Sequence, residues 1–248
     1  YKAVEEQQFI LFYQPKFTTK SRKICGVEAL IRWNHPRLGL LTPNMFIEGA
    51  EKTGLIIQMG YWALEQAFKQ IQIWEQSDSN YFPLAVNLSA VQFEHKHLFS
   101  TLESLFDKYQ INPNHLGIEI TESTAMHHID ASIRSFERLR QMGIKLAIDD
   151  FGTGHSSFLY LKNLPVDELK IDREFIRDLS VGSKDEMILE SIIQLATKLG
   201  LVVTAEGVET PSQADILTRL GCQQLQGYLL GMPVNVDRLE ESKYALPI

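Results

Sequence analysis

Apolar and polar positions follow two patterns along the chain: short, nearly continuous apolar runs and longer stretches with helical periodicity. Eight runs rich in β-branched or large apolar residues, and bounded by turn residues, predict strands. These predicted strands cover residues 9–14, 24–33, 84–89, 116–121, 145–150, 168–172, 202–207 and 224–229. Several are apolar almost throughout and end in a polar residue, which is typical of strands buried on both faces of a parallel sheet.

Helical periodicity fills most of the gaps between these strands. It predicts helices over residues 56–76, 98–109, 133–142, 184–199 and 211–220. Eight strands that alternate with helices in 248 residues predict an α/β fold, a TIM-type (β/α)₈ barrel. Only residues 16–23 separate the first two strands, too few for a helical crossover, so we expect an antiparallel first strand. A doubly wound open sheet is the alternative.

Composition narrows the class of protein. With 44% hydrophobic and 22% charged residues, the chain has the make-up of a folded domain. Its longest apolar run, residues 9–13, is far shorter than the roughly 20 residues of a spanning helix, so we expect no membrane contact by this segment. Two cysteines are too few for a disulfide scaffold, which favours a cytoplasmic location. A net charge of −7 argues against a nucleic-acid polymer as partner.

No Gly/Ser-rich linker or low-complexity segment suggests a domain boundary. We therefore treat residues 1–248 as a single domain. The chain begins with Tyr1 rather than Met, and we interpret it as a piece of a longer protein. Any membrane anchor would then lie in segments outside this one.

Polar residues stand at or near the carboxyl end of every predicted strand, and in a barrel these ends converge on the face that carries active sites. The residues are Gln14, Glu28, Arg32, Asn87, Glu119, Glu122, Asp149, Asp150, Lys170, Asp172, Glu206, Glu209 and Gln226. Four of them directly follow an apolar strand residue: Glu28, Asn87, Glu119 and Asp149. Four oxygen ligands from neighbouring strands suit a hard cation such as Mg²⁺ or Mn²⁺. The alternative is that each acidic residue caps its strand and faces solvent.

The adjacent pair Asp149 and Asp150 indicates a second cation. In a regular strand neighbouring side chains diverge, so both can face one site only where the strand ends, before Gly152. One aspartate would then bridge two metal ions, and such a pair clamps the attacking and leaving oxygens in phosphoryl hydrolysis. An Asx turn that leads into a glycine loop is the alternative.

Two basic residues fit the same face. Lys170 lies between two apolar strand residues, so its side chain is expected in the barrel mouth, where it would hold a water or a phosphate oxygen; a lysine extended along the rim is the alternative. Arg32 would fork onto a phosphate or form a surface ion pair. Gly207 permits a tight turn through which Glu206 and Glu209 both face the site.

The histidines and the common nucleotide motifs add little. The pairs His95/His97 and His127/His128 lie away from the strand ends, and we interpret them as solvated rather than as zinc ligands. The sequence has no P-loop, no dinucleotide-binding glycine motif and no nucleophile elbow.

Taken in order, these motifs resemble the EAL-domain family of cyclic di-GMP phosphodiesterases. The likeness covers essentially the whole chain, from Gln14 to Pro233. The segments that carry it are Glu28-Ala29-Leu30-Ile31-Arg32-Trp33, Val86-Asn87-Leu88-Ser89, Glu119-Ile120-Thr121-Glu122, Asp149-Asp150-Phe151-Gly152-Thr153-Gly154, Leu169-Lys170-Ile171-Asp172, Ala205-Glu206-Gly207-Val208-Glu209 and Gln226-Gly227-Tyr228.

The resemblance implies a barrel with an antiparallel first strand and hydrolysis of cyclic di-GMP to the linear dinucleotide pGpG with two Mg²⁺ or Mn²⁺ ions. It implies roles for individual residues. The first metal would be held by Glu28, Asn87, Glu119 and Asp149, and the second by Asp149, Asp150 and Glu206. Lys170 would hold or help deprotonate the attacking water, alongside Glu28 and Glu206 as catalytic residues. Substrate would be contacted by Gln14, Arg32, Asp172, Glu209 and Gln226.

The resemblance also implies partners. Glu122 would hold the loop after Asp150, through which family members often form homodimers. Domains fused to this one in the parent protein would include sensor or GGDEF-type domains.

Two departures from the family pattern keep alternatives open: His155 stands where Tyr is usual, and Gly231-Met232 stands where a basic residue is common before Pro233. Neither removes a metal ligand. A catalytically weak or inactive cyclic di-GMP receptor or scaffold is the alternative function. A metal-dependent barrel enzyme that acts on carbonyl or enolate substrates is a third.

Overall fold

Nine strands form one sheet in the described part of the chain, which covers residues 2–77, 82–152 and 158–242 of a computed structural model. The strands are β1 (Phe9–Thr18), β2 (Ile24–His35), β3 (Gly39–Leu41), β4 (Leu84–Leu88), β5 (Leu116–Thr121), β6 (Lys145–Phe151), β7 (Glu168–Ile171), β8 (Val202–Ala205) and β9 (Gln224–Leu225).

The sheet closes on itself through its first strand. β2 and β4 to β9 are joined by parallel pairings, while β1 pairs antiparallel with β2 on one side and with β9 on the other. Eight strands therefore form the barrel, and β3 only extends the outer end of β2. This confirms the predicted TIM-type barrel with an antiparallel first strand, and the open-sheet alternative is wrong.

Helices cover the outside of the barrel. The α-helices are α1 (Lys2–Glu5), α2 (Ile47–Lys52), α3 (Leu55–Gln76), α4 (Ala90–Phe93), α5 (Leu98–Tyr109), α6 (Glu122–His127), α7 (Ile129–Gln141), α8 (Phe158–Leu161), α9 (Glu174–Arg177), α10 (Lys184–Lys198), α11 (Pro211–Arg219) and α12 (Val236–Ser242), and 3₁₀ turns cover Pro43–Met45 and Pro113–His115. Within the described ranges, no helix combines the length and the apolar character needed to cross a membrane.

The five predicted helices correspond to α3, α5, α7, α10 and α11, and most of their ends agree within one residue. α7 begins four residues earlier than predicted, at Ile129. α11 begins as its sequence indicates, because Thr210 and Gln213 form a reciprocal cap. The Thr210 hydroxyl accepts from the Gln213 backbone N–H, and the Gln213 side chain accepts from the Thr210 backbone N–H.

The predicted strand limits differ most at β1 and β9, each by four residues, and one short strand was not predicted. β1 continues to Thr18 because Lys16 and Phe17 pair with Gly26 and Ile24 across the hairpin. β9 stops at Leu225 because the chain turns back at Gly227, whose carbonyl accepts from the N–H groups of residues 230 and 231. β3 was not predicted at all, since it is only three residues long.

The main core fills the space between barrel and helices, with Phe68, Trp74 and Phe136 among its largest fully buried side chains. A smaller cluster closes the outer end of the β1–β2 hairpin, where Phe9 packs against Trp33 with ring centroids 5.8 Å apart. The barrel is thereby held rigid around the residues that point into its mouth.

Candidate active site

The acidic residues predicted at the strand ends surround one buried ammonium group, that of Lys170. Lys170 lies on β7 and is fully buried. Its Nζ is 3.2 Å from Glu28 Oε2, 2.5 Å from Glu119 Oε2, 3.2 Å from Asp149 Oδ1 and 2.7 Å from Glu206 Oε1. These four carboxylates come from β2, β5, β6 and the residue after β8, so barrel closure is what brings them together.

With Asp150, the four residues form what we call the carboxylate cluster: Glu28, Glu119, Asp149, Asp150 and Glu206. Two sets of three within it are spaced for a shared cation, since the ligand oxygens of each set lie within 4.8 Å of one another. One set is Glu28, Glu119 and Asp149; the other is Asp149, Asp150 and Glu206. Hard divalent cations prefer carboxylate oxygens, and crowded carboxylates otherwise repel. The donor set fits two such cations that share Asp149.

β6 brings both aspartates to the site by a local irregularity. β6 ends at Phe151, one residue later than predicted. Its pairing with β7 shifts register between Ile148 and Phe151, and Asp150 has a φ of +53°, in the left-handed region. Such a bulge re-aims side chains without ending a strand. The Asp150 N–H donates to Asp149 Oδ1 at 2.9 Å, which ties the two residues together.

Two amide side chains donate to the Glu28 carboxylate, and a third accepts from one of them. Asn87 Nδ2 donates to Glu28 Oε1 at 2.6 Å, and Gln226 Nε2 donates to Glu28 Oε2 at 2.7 Å. Gln226 also donates to Gln14 Oε1 at 3.2 Å, and Gln14 donates to the Gly231 carbonyl at 3.1 Å. Gln14, Asn87 and Gln226 therefore all belong to the site, which they reach from β1, β4 and the turn after β9.

Crowding and burial perturb the ionisation of the cluster. Burial and the neighbouring Glu28 charge raise the pKa of Glu119 to about 8. Burial, Asp149 and Asp172 raise the pKa of Asp150 to about 6, and the pKa of Glu206 is raised well above its usual range by burial.

The two groups at the centre keep their charge. Burial alone would lower the pKa of Lys170, but the surrounding carboxylates outweigh it and hold that pKa well above its ordinary range. Burial likewise acts against ionised Glu28, but Lys170 and the Gln226 and Asn87 amides bring its pKa below the usual value. Lys170 is therefore a permanent hydrogen-bond donor, and the rim interpretation of this lysine is wrong.

The turn after β8 explains the place of Glu206. Gly207 has a φ of +66°, and a Cβ there would lie 2.4 Å from the Cβ of Arg173. Only glycine fits this turn without displacement. Glu206 points to Lys170, but Glu209 is exposed, and the contacts described for it involve its backbone N–H, which donates to Gln213. The turn thus brings one of the two predicted carboxylates into the cluster.

The remaining predicted residues lie around the cluster. Arg32 is 9% exposed, its Nη1 donates to the Ile31 carbonyl at 2.9 Å, and its guanidinium lies over the Phe12 ring. Arg32 is therefore buried, whereas the arginine of a surface ion pair would be exposed. The Asp172 carboxyl interacts with that of Asp150 and accepts a hydrogen bond from the N–H of residue 174.

The loop that follows Asp150 is attached to β5 at its start. Glu122, which is 2% exposed, accepts a hydrogen bond from the Gly152 N–H at 2.8 Å. His155 and the rest of the loop, residues 153–157, lie outside the described residues. The other departure, Met232, is 58% exposed and makes no contact with the carboxylate cluster among the described interactions.

Three of the four paired histidines, His97, His127 and His128, are exposed, as interpreted from the sequence, whereas His95 is half-buried and its Nδ1 lies 2.6 Å from the Tyr61 hydroxyl. His127 and His128 are exposed, and together with Glu94 they form a third group of possible metal ligands, far more open than the cluster. Sequence reasoning did not foresee that Glu94 would lie beside them.

Sequence reasoning missed two charged residues below the cluster, the buried Lys16 and the half-buried Glu168. Lys16, assigned to the turn between the first two strands, lies inside the barrel, where its Nζ contacts Glu119 and Glu168. A signal was present: Gln14 and Lys16 alternate with apolar residues, as do Glu168 and Lys170, and period two places each pair on one strand face.

Comparison with known proteins identifies the family. The family model described as EAL domain matches residues 1–233. The chain belongs to the EAL domain family. Phosphodiesterases of this family depend on metal ions, and the carboxylate cluster of this EAL domain fits that requirement.

Two curated relatives come from Pseudomonas aeruginosa. The bifunctional diguanylate cyclase/cyclic di-GMP phosphodiesterase MucR is 48% identical over 96% of this chain and 35% of its own length. The cyclic di-GMP phosphodiesterase NbdA is 39% identical over 97% of this chain and 31% of its own length. The EAL domain thus spans about a third of these relatives. The solved structure of the PaMucR phosphodiesterase in complex with c-di-GMP has a TM-score of 0.92 at 48% identity and covers 96% of both chains.

Proposed function

We propose that this EAL domain hydrolyses one phosphodiester bond of cyclic di-GMP to give linear pGpG, with two Mg²⁺ or Mn²⁺ ions. The observation that carries the proposal is the carboxylate cluster around Lys170, complete in every predicted acidic ligand. The named activity of its relatives and the nucleotide-bound structure of one of them support the choice of substrate.

The residues divide into two metal-holding sets. Glu28, Asn87, Glu119 and Asp149 would hold the first ion, and Asp149, Asp150 and Glu206 the second. When bound, the two ions would stabilise the attacking and leaving oxygens and lower the pKa of the attacking water. Asn87 would supply its amide oxygen, and it already lies against Glu28.

Lys170 would hold the attacking water or help to deprotonate it. Without metal ions, the surrounding carboxylates keep its ammonium protonated, so that it donates hydrogen bonds. Glu206, whose Oε1 lies 2.7 Å from Lys170 Nζ at the open side of the cluster, would act beside it as a ligand of the second ion.

Substrate contacts would come from the rim of the cluster. The Arg32 guanidinium offers a fork of donors that matches a phosphate. Gln14 and Gln226 are positioned by their mutual hydrogen bond. Asp172 and Glu209, in the loops after β7 and β8, would reach the substrate from outside the cluster. Amide and carboxylate groups of this kind recognise the polar edges and hydroxyls of a nucleotide.

The test is a cleavage assay with a matched pair of variants. The domain is incubated with cyclic di-GMP and Mg²⁺ or Mn²⁺, and the products are separated by chromatography. Glu28→Gln removes one ligand charge with little change of shape, and Glu48→Gln makes the same change on exposed α2. We expect pGpG from the wild type and from Glu48→Gln but not from Glu28→Gln. Nucleotide binding without product would instead indicate the receptor function.

We also propose that the domain works as a homodimer, within a longer cytoplasmic signalling protein that carries sensor or GGDEF-type domains. An exposed apolar surface beside Gly152 supports the dimer: Met187 and Ile188 on α10 line a cavity of about 660 Å³ together with Phe151 and Phe175. Light scattering of wild type and Met187→Glu tests it, since a charge there would favour the monomer.

A further inference from the structure

A second buried lysine, Lys16, lies on the opposite side of Glu119 from Lys170. Lys16 is 5% exposed, and its Nζ lies 3.3 Å from Glu119 Oε1. Lys170 contacts the other oxygen, Glu119 Oε2, at 2.5 Å. The two oxygens of one carboxylate are thus divided between two lysines, one toward the cluster and one away from it.

Lys16 is itself held in place from the far side. Its Nζ lies 3.1 Å from both oxygens of Glu168, at the start of β7. The Thr204 hydroxyl donates to Glu168 Oε1 at 2.6 Å and lies 3.2 Å from Gln224 Oε1. This layer spans β1, β5, β7, β8 and β9, so every partner sits on a barrel strand. A lysine fixed by both oxygens of one carboxylate has little freedom to turn away from Glu119.

Water has access to this layer from the amino-terminal end of the barrel. A cavity of about 450 Å³ lies there, lined by the first residues of several strands and also by Lys16, Glu119 and Glu168. Without the Lys16 ammonium, Glu119 Oε1 would face this cavity. Water there would compete for the carboxylate and allow it to rotate.

We propose that Lys16 is a positioning residue for the metal site: it holds Glu119 Oε1 away from the carboxylate cluster so that Oε2 alone faces the divalent cation. The inference rests on the proposed function, because it assumes that Glu119 is a metal ligand. Groups that hydrogen-bond a metal ligand from behind set its orientation, and their loss weakens metal affinity by about 10- to 100-fold.

The experiment measures Mn²⁺ affinity without nucleotide, by the electron paramagnetic resonance signal of free Mn²⁺. Glu168→Gln keeps one acceptor oxygen for the Lys16 ammonium beside Glu119. The double variant Lys16→Met with Glu168→Gln removes a cation and an anion together, so neither charge is left alone in the barrel. The double variant is compared with wild type, which has the same net charge, and Glu168→Gln gives the effect of the Glu168 change alone.

We expect Glu168→Gln to bind Mn²⁺ within about 3-fold of wild type and the double variant to bind about 10-fold more weakly than wild type. Affinity of the double variant equal to or above that of wild type would overturn the proposal, even if the double variant melts earlier, because a purely structural role lowers the melting temperature without weakening Mn²⁺ binding.

A single variant covers the case in which the double variant does not fold. Lys16→Gln keeps an N–H donor on a side chain that is one atom shorter, which moves the donor out of hydrogen-bond distance of Glu119. Weaker Mn²⁺ binding than wild type supports the positioning role, and unchanged binding overturns it. Cleavage of cyclic di-GMP by wild type is assayed separately, so that failure of the Lys16 role is distinguished from failure of the phosphodiesterase proposal.

Discussion

The carboxylate of Glu122 and the backbone N–H of Gly152 are joined by a hydrogen bond of 2.8 Å. Glu122 is the first residue of α6, directly after β5, and Gly152 begins the loop after β6. The bond therefore connects the strand of Glu119 with the segment that leaves Asp150. It is a direct link between two neighbours of the carboxylate cluster.

Breaking this bond should slow catalysis more than it weakens metal binding. In Glu122→Ala the Gly152 N–H loses its acceptor, and the backbone next to Asp150 gains freedom. We expect turnover to fall by about 10-fold or more, since small misplacements in a site are costly. Glu122→Gln keeps an acceptor oxygen and should stay closer to wild type. Turnover and Mn²⁺ affinity of both variants check this; equal turnover of all three proteins would contradict it.

Replacing Lys170 by Met should destabilise the domain strongly. The change leaves the buried carboxylates without their ammonium, and breaking a buried ion pair on one side costs about 3–5 kcal/mol. Turnover should be lost as well. Lys52→Met removes an exposed ion pair with Glu48 and should cost less than about 1 kcal/mol. Urea unfolding of both variants measures the difference, and similar losses would count against the central role of Lys170.

Divalent cations should stabilise the folded domain. Five carboxyl groups gather near one ammonium, so a cation bound only by the folded state relieves their repulsion. At a free Mn²⁺ concentration of about 100 times its dissociation constant, linkage at one site adds about 2.7 kcal/mol. Thermal unfolding with Mn²⁺ and with a chelator measures this. A melting temperature that does not respond to Mn²⁺ would argue against the metal site.

Without divalent cations, Glu119 should make the domain less stable as the pH rises. Because its pKa is raised to about 8 in the fold, the folded state binds its proton more tightly than the unfolded chain does. This contribution is present below the ordinary carboxyl pKa and is lost as the pH rises to about 8. Its slope is at most about 1.4 kcal/mol per pH unit. Glu119→Gln should flatten the curve between pH 6 and 8 as measured by urea unfolding; an unchanged slope would refute the assignment.

Two glycine substitutions should separate backbone strain from a steric clash. Gly207 and Gly182 both have positive φ angles, +66° and +80°. A Cβ at Gly207 would lie 2.4 Å from the Cβ of Arg173. At Gly182, no heavy atom of the described residues other than its chain neighbours would lie within 4 Å of a Cβ. Gly182→Ala should cost about 1 kcal/mol, and Gly207→Ala clearly more, with loss of turnover because Glu206 moves. Equal effects on stability and turnover would show that the turn tolerates the clash.

The barrel was predictable because its pattern is regular. Apolar runs separated by amphipathic stretches predict parallel strands and helices, and the short gap before Ile24 predicts the hairpin. The limits of β1 were not predictable from apolar runs alone, since Lys16 is a charged residue at an inward position. Only its partners on other strands, Glu119 and Glu168, make that burial favourable.

The site was predictable at the level of which residues converge, but not in its detail. Asp149 and Asp150 were expected to share a site at a strand end, yet the structure uses a bulge with a left-handed Asp150 inside a continuing strand. Spacing in one chain cannot distinguish these solutions, because the register shift depends on pairing with β7. The position of Glu209 was not predictable from spacing either, because the turn at Gly207 brings its backbone N–H into contact with Gln213.

The reversed first strand fixes the side of the barrel on which the chain enters it. Phe9, where β1 begins, lies opposite Trp33, near the carboxyl end of β2, and thus on the same side of the barrel as the carboxylate cluster. An all-parallel barrel would start at the far end. A polypeptide joined ahead of β1 would therefore lie nearer to the barrel mouth than to its opposite end, and a change in it would reach the mouth without passing through the core.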